Sequence, residues 1–373
     1  LDKHLHIITL DVPWPADYGG VVDLFYKIVS LHKQGIKIHL HCFTSGRPPQ
    51  DELDKYCESV TYYTRKKFPS GVSLTLPYIV SSRINDELIR NLQQDDYPVL
   101  MEGVHCTYYL YNGALKNRRV FVRLHNVEFA YYRKLAEHEN NFFKKSYFLI
   151  ESFLLKKYEK KIAKKATFWP VSIHDTELYK NLFGAENIDF LPVFLPWHEV
   201  HTQNGKGCFC LYHGNLSVNE NEKAAGWLLT KVFNDINVPL VIAGKNPSEE
   251  LEKLAHVNNN TCLVSNPSDK EMQDLIKKAQ VNILPSFNNT GVKLKLLNAL
   301  YNGRYCLVNE AAAEGAAIDD LCYIANSADD FKKAAKALYE KPFSDEDAQE
   351  RQQVLDASYN NDKNASLLIK WIY

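Results

Sequence analysis

The sequence predicts an α/β fold of two doubly wound, Rossmann-like domains, on three observations. Apolar runs of strand length alternate with stretches of helical periodicity, and that rhythm stops and restarts near the middle of the chain. The chain has 373 residues, more than one hydrophobic core usually serves. Between the halves lies 194–207, broken by prolines (Pro192 just before it, Pro196 within) and ending in Asn204-Gly205-Lys206-Gly207, which reads as a linker.

In the first half the pattern predicts strands over 4–10, 36–43, 59–63, 98–102, 120–124 and 167–170. Helices are expected from Gly19-Gly20 to about Gly35 and over 85–94, 127–137 and 142–165. In the second half strands over 208–213, 239–243, 261–264, 281–284, 305–308 and 321–324 alternate with helices over 221–234, 248–256, 269–278 and 292–301. Two more helices are expected over 329–340 and 345–355, and a last segment runs over 360–373. The domain boundaries that follow are 1–193, 207–358 and a C-terminal piece, 359–373.

Composition narrows the class. At 45% hydrophobic and 24% charged the chain is ordinary for a globular protein, and a net charge of −1 lacks the basic footprint of a nucleic-acid protein. The eight cysteines are scattered without zinc spacing, which fits a reducing cytoplasm. Cys208 and Cys210 flank Phe209 in a predicted strand and are expected on one face as small hydrophobes. No run is long enough to span a bilayer, and no signal-like segment precedes the first strand, so a cytoplasmic place is expected. The 22 tyrosines and 18 phenylalanines suit sugar-facing clefts, and equally suit cores.

The most informative stretch is 281–309. A buried strand gives way to a polar loop, and Thr290 reads as the N-cap of a helix in which Leu294, Leu297 and Tyr301 recur, stopped by Gly303. A loop opening a helix at Thr290-Gly291 presents free N–H groups to a phosphate, and Lys293 and Lys295 add two cations. The same residues also describe a plain buried helix whose lysines reach water.

The pattern Thr290-Gly291-x-Lys293-x-Lys295-x-Leu297-Asn298-Ala299-Leu300-x-x-Gly303 resembles the donor-site signature of GT-B glycosyltransferases, in particular the large retaining family that includes sucrose synthases and bacterial polysaccharide and glycolipid enzymes. That family usually carries two glutamates where this chain has Thr290 and Asn298, neither of which supplies a negative charge. The resemblance implies two domains facing across a cleft, with a C-terminal helix returning to the first. It implies an acceptor-side domain, a donor domain, and no metal or cofactor beyond a UDP- or GDP-linked sugar substrate. Gly291, Val292, Lys293 and Lys295 would then hold the donor diphosphate, and Thr290 and Asn298 its sugar or ribose.

Other loops follow the same resemblance. Gly19 and Gly20, which lack the third glycine of a dinucleotide fingerprint, would approach the diphosphate or form only a tight turn. His125 would lie near the transferred sugar as the catalytic candidate; Asn126 is an acceptor-side candidate or the N-cap of the next helix, and Glu128 a dipole partner. Glu102 is a further acceptor-side candidate. In the second half Gly214 and Asn215 stand where relatives have Gly-Arg, Lys245 ends an Ala-Gly-Lys, and Asn266 sits in the loop that would hold the base.

The expected partners are a nucleotide-sugar donor and a glycan or lipid-linked acceptor, with no nucleic acid. Eight lysines between 144 and 165, interleaved with Phe148, Phe153, Leu154 and Ile162, and a second patch, Arg65-Lys66-Lys67-Phe68, read either as a solvated helix face or as a peripheral contact with the inner face of a membrane. Three function classes remain at this level: a transferase, a nucleotide-sugar epimerase, and a non-catalytic nucleotide- or glycan-binding relative.

Overall fold

The computed structural model describes residues 2–288, 291–316 and 318–373. By contact the chain divides into two units, one of residues 1–196, 290–292 and 359–373, the other of 197–289 and 293–358. Each is built on a six-stranded, wholly parallel sheet.

The first sheet contains β1 (Lys3–Thr9), β2 (Ile36–Thr44), β3 (Ser59–Thr64), β4 (Val99–Glu102), β5 (Val120–Leu124) and β6 (Thr167–Pro170), in the order β3-β2-β1-β4-β5-β6. Its central strands are unbroken buried runs, because a parallel sheet is covered on both faces. The helix Gly19–Lys33 covers one face with Leu24, Phe25, Ile28 and Leu31. The last helix, Asn361–Ile372, joins that layer through Ala365, Leu368 and Ile372, spaced by three and four residues so that they form one stripe. Asn361 fixes its start by accepting from Leu195 N–H at 3.0 Å and donating to Leu195 C=O at 2.8 Å. The expected return of the C-terminal helix to the first sheet is therefore present.

The second sheet contains β7 (Cys210–Asn215), β8 (Leu240–Lys245), β9 (Thr261–Ser265), β10 (Val281–Ile283), β11 (Tyr305–Val308) and β12 (Tyr323–Ile324), in the order β12-β11-β10-β7-β8-β9. Gly244 is demanded by the pairing of β7 with β8. A Cβ there would lie 2.0 Å from the Gly214 carbonyl oxygen. Buried Arg351 closes the end of the helix Leu294–Asn302 by donating to Leu300 C=O at 3.1 Å and Gly303 C=O at 2.7 Å.

Four local expectations are corrected. The helix after β10 starts at Leu294, with Lys293 rather than Thr290 at the N-cap; Thr290 itself lies outside the described residues. The helix Glu128–His138 is capped by Val127, not Asn126, and two of its free N–H groups, Glu128 and Phe129, are taken by the buried Glu159 carboxylate at 3.1 and 3.0 Å. Cys208 is exposed, because β7 begins only at Cys210 and strand alternation does not reach back to it. The 194–207 stretch is not loose throughout: Phe194 and Leu195 are fully buried in the first unit.

Candidate active site

In open α/β sheets ligands bind beyond the C-terminal strand ends, where the strand order reverses. In the first unit that place lies between β1 and β4, and the chain there brings five ionisable side chains together. Asp23 and Lys27 sit one turn apart on the helix Gly19–Lys33, both fully buried among its apolar residues. Arg123, on β5, makes a forked pair with Asp23 at 3.0 and 2.9 Å and spends its other donors on the carbonyls of Trp169, Leu191 and Pro192. Lys27 bridges Asp23 at 3.0 Å and Glu102, at the end of β4, at 2.8 Å. His125, just past β5, sets Nε2 3.1 Å from Glu102, with Nδ1 3.9 Å from Asp23.

Burial opposes ionisation of both carboxyls, yet Arg123 and Lys27 hold Asp23 well below the usual carboxylate range. Glu102 is likewise held low by Lys27 and then by its bond to His125. The donor atoms of Asp23, Glu102 and His125 lie close enough together for a metal, but Lys27 already supplies the positive charge between the two carboxylates. Glu102, expected to hold an acceptor, is closed off from solvent and instead orients the imidazole. Asn126 lies beside it, and Gly291, which groups with this unit, fits at a φ of 62° where a Cβ would come within 2.6 Å of the Asn126 side-chain oxygen. Val292 follows in the same segment. Gly19 and Gly20 open their helix at the same end of the sheet; a Cβ on Gly20 would make only ordinary contact, 3.6 Å from the Tyr18 ring.

In the second unit the order reverses between β7 and β10. Gly214 and Asn215 end β7, Lys245 ends β8, and Lys293 and Lys295 begin the helix that follows β10. Lys295 is sunk beneath this edge, its ammonium 3.0 Å from the Asn221 side-chain oxygen, 3.3 Å from the Tyr212 hydroxyl and 4.8 Å from the centre of the Tyr212 ring. Burial pulls its pKa down to about 8, Glu220 pulling the other way. No carboxylate stands within ion-pair distance of it among the described residues. Beneath it, buried His213 is kept neutral by burial and then by Lys295, its pKa pushed down to about 3. Glu220, at the start of the helix Asn219–Trp227, accepts from Ser286 Oγ at 2.7 Å.

The loops around this edge are tied side chain to backbone. Asn215 accepts from Ser217 N–H at 3.1 Å, and Asn266, at a φ of 52°, accepts from Asn246 N–H at 2.8 Å. The identity of Asn266 thus matters to the loop, as its position alone did not suggest. Asn298 turns its side-chain oxygen along its own helix to Asn302, at 2.9 Å. The sequence did not single out Asp23, Lys27, Arg123, Tyr212, Glu220, Asn221 or Ser286. The one signal available beforehand was a pair of opposite charges four apart inside the apolar run 21–28.

Two doubly wound parallel sheets, each presenting polar groups at its switch point, define the class: a GT-B glycosyltransferase fold. Residues 208–341 match the family described as glycosyl transferases group 1. Over 332 residues, 83% of this chain and 83% of the other, the sequence is 30% identical to an uncharacterized 44.6 kDa protein in the cps region of Klebsiella pneumoniae. Among solved structures, sucrose-phosphate synthase from Thermosynechococcus elongatus is similar over 99% of this chain and 98% of its own, with a TM-score of 0.70 at 13% identity. Anabaena HepE, crystallised with UDP and glucose, is similar over 99% of both chains, with a TM-score of 0.65 at 10% identity. The chain belongs to the group 1 glycosyl transferases and is a glycosyltransferase. No helix among the described residues is long and apolar enough to cross a membrane.

Proposed function

We propose that the protein transfers a sugar from a UDP- or GDP-linked donor to a glycan or lipid-linked acceptor, with retention and without a metal ion. The observation that carries this reading is Lys295, a desolvated cation with no carboxylate at ion-pair distance among the described residues, held at the β7–β10 switch point on Asn221, which also donates to the Asn215 carbonyl. A nucleoside diphosphate supplies the negative charge that such a cation lacks. Lys293, Lys245 and the loop at Gly291 and Val292 are assigned to the same diphosphate, with Gly19 and Gly20 at the corresponding edge of the first sheet. Thr290 and Asn298 are assigned to sugar or ribose, and Asn266 to the base.

In the proposed reaction the bond from the anomeric carbon to the β-phosphate oxygen breaks, and the acceptor oxygen bonds to the same face of that carbon. The acceptor's proton passes to the departing phosphate. The protein's part is positioning and support of the developing diphosphate charge, which Lys295 and Lys293 provide. His125, held by Glu102, is assigned to the sugar, where it donates or accepts at a hydroxyl. Asn126 is assigned to the acceptor side. The relative from a cps region supports a surface polysaccharide as the product; its assembly in the cytoplasm at the inner face of a membrane is part of the same proposal. The test is a thermal-shift and turnover panel with UDP, GDP and their sugars, with and without EDTA. Stabilisation by one diphosphate that is indifferent to EDTA, with acceptor-dependent release of free nucleotide, is expected. Stabilisation lost on chelation, or release that needs no acceptor, overturns it.

A further inference from the structure

The helix Phe142–Ile162 carries two carboxylates and six lysines, and the structure sorts them by burial. Glu151 turns inward and accepts from Tyr78 N–H at 2.8 Å, and Glu159 turns inward onto Glu128 and Phe129. All six lysines, Lys144, Lys145, Lys156, Lys157, Lys160 and Lys161, are exposed. The outward face of this helix therefore bears positive charge alone.

The same face exposes apolar surface that a solvated helix has no reason to show. Phe153 is 58% and Ile150 60% exposed, and the facing loop presents Phe68 at 78% and Leu74 at 95%. Together with Tyr147 and Leu154 they line a groove of about 820 Å³. Tyr147, Ile150 and Leu154 follow helical spacing to Lys157, whose ammonium rests 4.1 Å from the centre of the Phe153 ring. Lys66 and Lys67, next to Phe68 in the facing loop, are exposed as well. Glu151, spent on Tyr78 N–H, is the one carboxyl among the residues that line the groove, and exposed lysines flank it on the helix and in the facing loop. A mainly apolar groove flanked by lysines is patterned for a phase whose interior is apolar and whose edge is anionic.

We propose that this face docks on an anionic phospholipid bilayer, the groove admitting acyl chains and the lysines lying at the level of the phosphates. Charge complementarity selects this occupant: a second copy of the chain would bring the same lysines face to face. A nucleic acid would leave the aliphatic floor of the groove uncovered. Large aromatic and aliphatic side chains beside lysine are what interfacial helices carry. The inference rests on no assignment of donor or acceptor, since it concerns surface outside both switch points.

Vesicle flotation tests it, with phosphatidylcholine alone and with phosphatidylcholine mixed with phosphatidylglycerol, in the absence of any nucleotide sugar. Binding is expected to the mixed vesicles only and to weaken with added salt. Each lysine at the surface contributes about fivefold in partitioning, so Lys156→Gln with Lys157→Gln is expected to weaken binding by about 25-fold. Ile150→Ser with Phe153→Ser is expected to weaken it by more than about tenfold. These side chains are already largely exposed, so circular dichroism and the melting temperature of each variant should match those of the parent. Equal binding to both vesicle types, no binding to either, or variants that bind like the parent overturns the proposal. So does a dimer in sedimentation velocity that the Ile150/Phe153 variant abolishes, since that would make the groove a self-association surface. Nucleotide release with a water-soluble acceptor should be the same in parent and variants, which separates this test from that of the transfer reaction.

Discussion

Replacing Lys295 with methionine keeps the apolar stem and removes the charge. In the parent, the ammonium lies against Tyr212 and Asn221, and desolvation brings its pKa from 10.5 to about 8. A diphosphate that accepts from it gains a charge-assisted hydrogen bond worth about 1.5–3 kcal/mol, so Lys295→Met should weaken nucleoside diphosphate binding roughly ten- to hundredfold. Affinity of the parent should also depend on pH. Only the charged lysine makes this bond, so affinity should fall about five- to tenfold between pH 7 and pH 9 as the group titrates near 8. Near pH 8 binding should take up part of a proton, read by calorimetry in two buffers of different ionisation enthalpy. Stability runs the other way. Because the folded pKa lies below the free-lysine value, the cost of holding this charge is present in full below about pH 8 and fades as pH rises toward the unfolded value. Lys295→Met should therefore melt no lower than the parent at pH 7. An unchanged diphosphate affinity in the variant, or an affinity flat from pH 7 to 9, would refute the donor-site reasoning.

Three further outcomes are expected. His125→Ala should lower transfer far more than nucleotide affinity, because the imidazole stands in the first unit on Glu102 and is not one of the groups proposed to hold the diphosphate; equal losses in steady-state rate and in calorimetric affinity would contradict its placement. Acid should destabilise the fold through His6 and His41, which bond to each other at 2.8 Å among His39, Tyr63, Asp95 and Arg118 and which burial holds neutral, His41 down to about 3. Unfolded, they take up protons near 6.5, so stability present above that pH should fall by up to about 1.4 kcal/mol per pH unit for each on acidification, and His41→Gln should flatten the slope in urea melts. Gly244→Ala forces a Cβ within 2.0 Å of the Gly214 carbonyl and should cost at least about 1–3 kcal/mol, whereas Gly20→Ala, in ordinary contact, should leave the melting temperature unchanged or higher.

What the sequence made legible was local. The twelve strands stand where apolar runs were bounded by polar loops, and the helix Gly19–Lys33 where paired glycines preceded a periodic stretch. The loops at Gly214, Lys245 and Lys293, proposed for the donor, are recognisable because they follow strands. What it hid was contact between distant residues. Arg123 meets Asp23 across 100 positions and Glu159 reaches back 31 to cap Glu128, and no spacing rule carries such information. Thr290 misled for another reason: the capping preference describes side chains able to accept from a helix start, and here the helix starts three residues past Gly291, at Leu294. The lysines of 144–165 left two readings open because their sequence does not say that both nearby glutamates face inward.

The stripe Ala365, Leu368 and Ile372 has a consequence for synthesis. It completes a core whose other members, from Leu5 to Phe194, leave the ribosome far earlier. Some 165 residues separate Pro196 from Asn361 (361 less 196), and at about 5–20 residues per second they take roughly 8–33 s to make. Throughout that interval the flank of the helix Gly19–Lys33 that meets this stripe is uncovered, and by the time Asn361 is made the second unit has its whole sheet, which ends with β12 at Ile324, available to fold. The half of the protein made first is thus the half that finishes last, and the nascent chain is open to chaperones, or to other chains at its uncovered flank, until its final helix arrives.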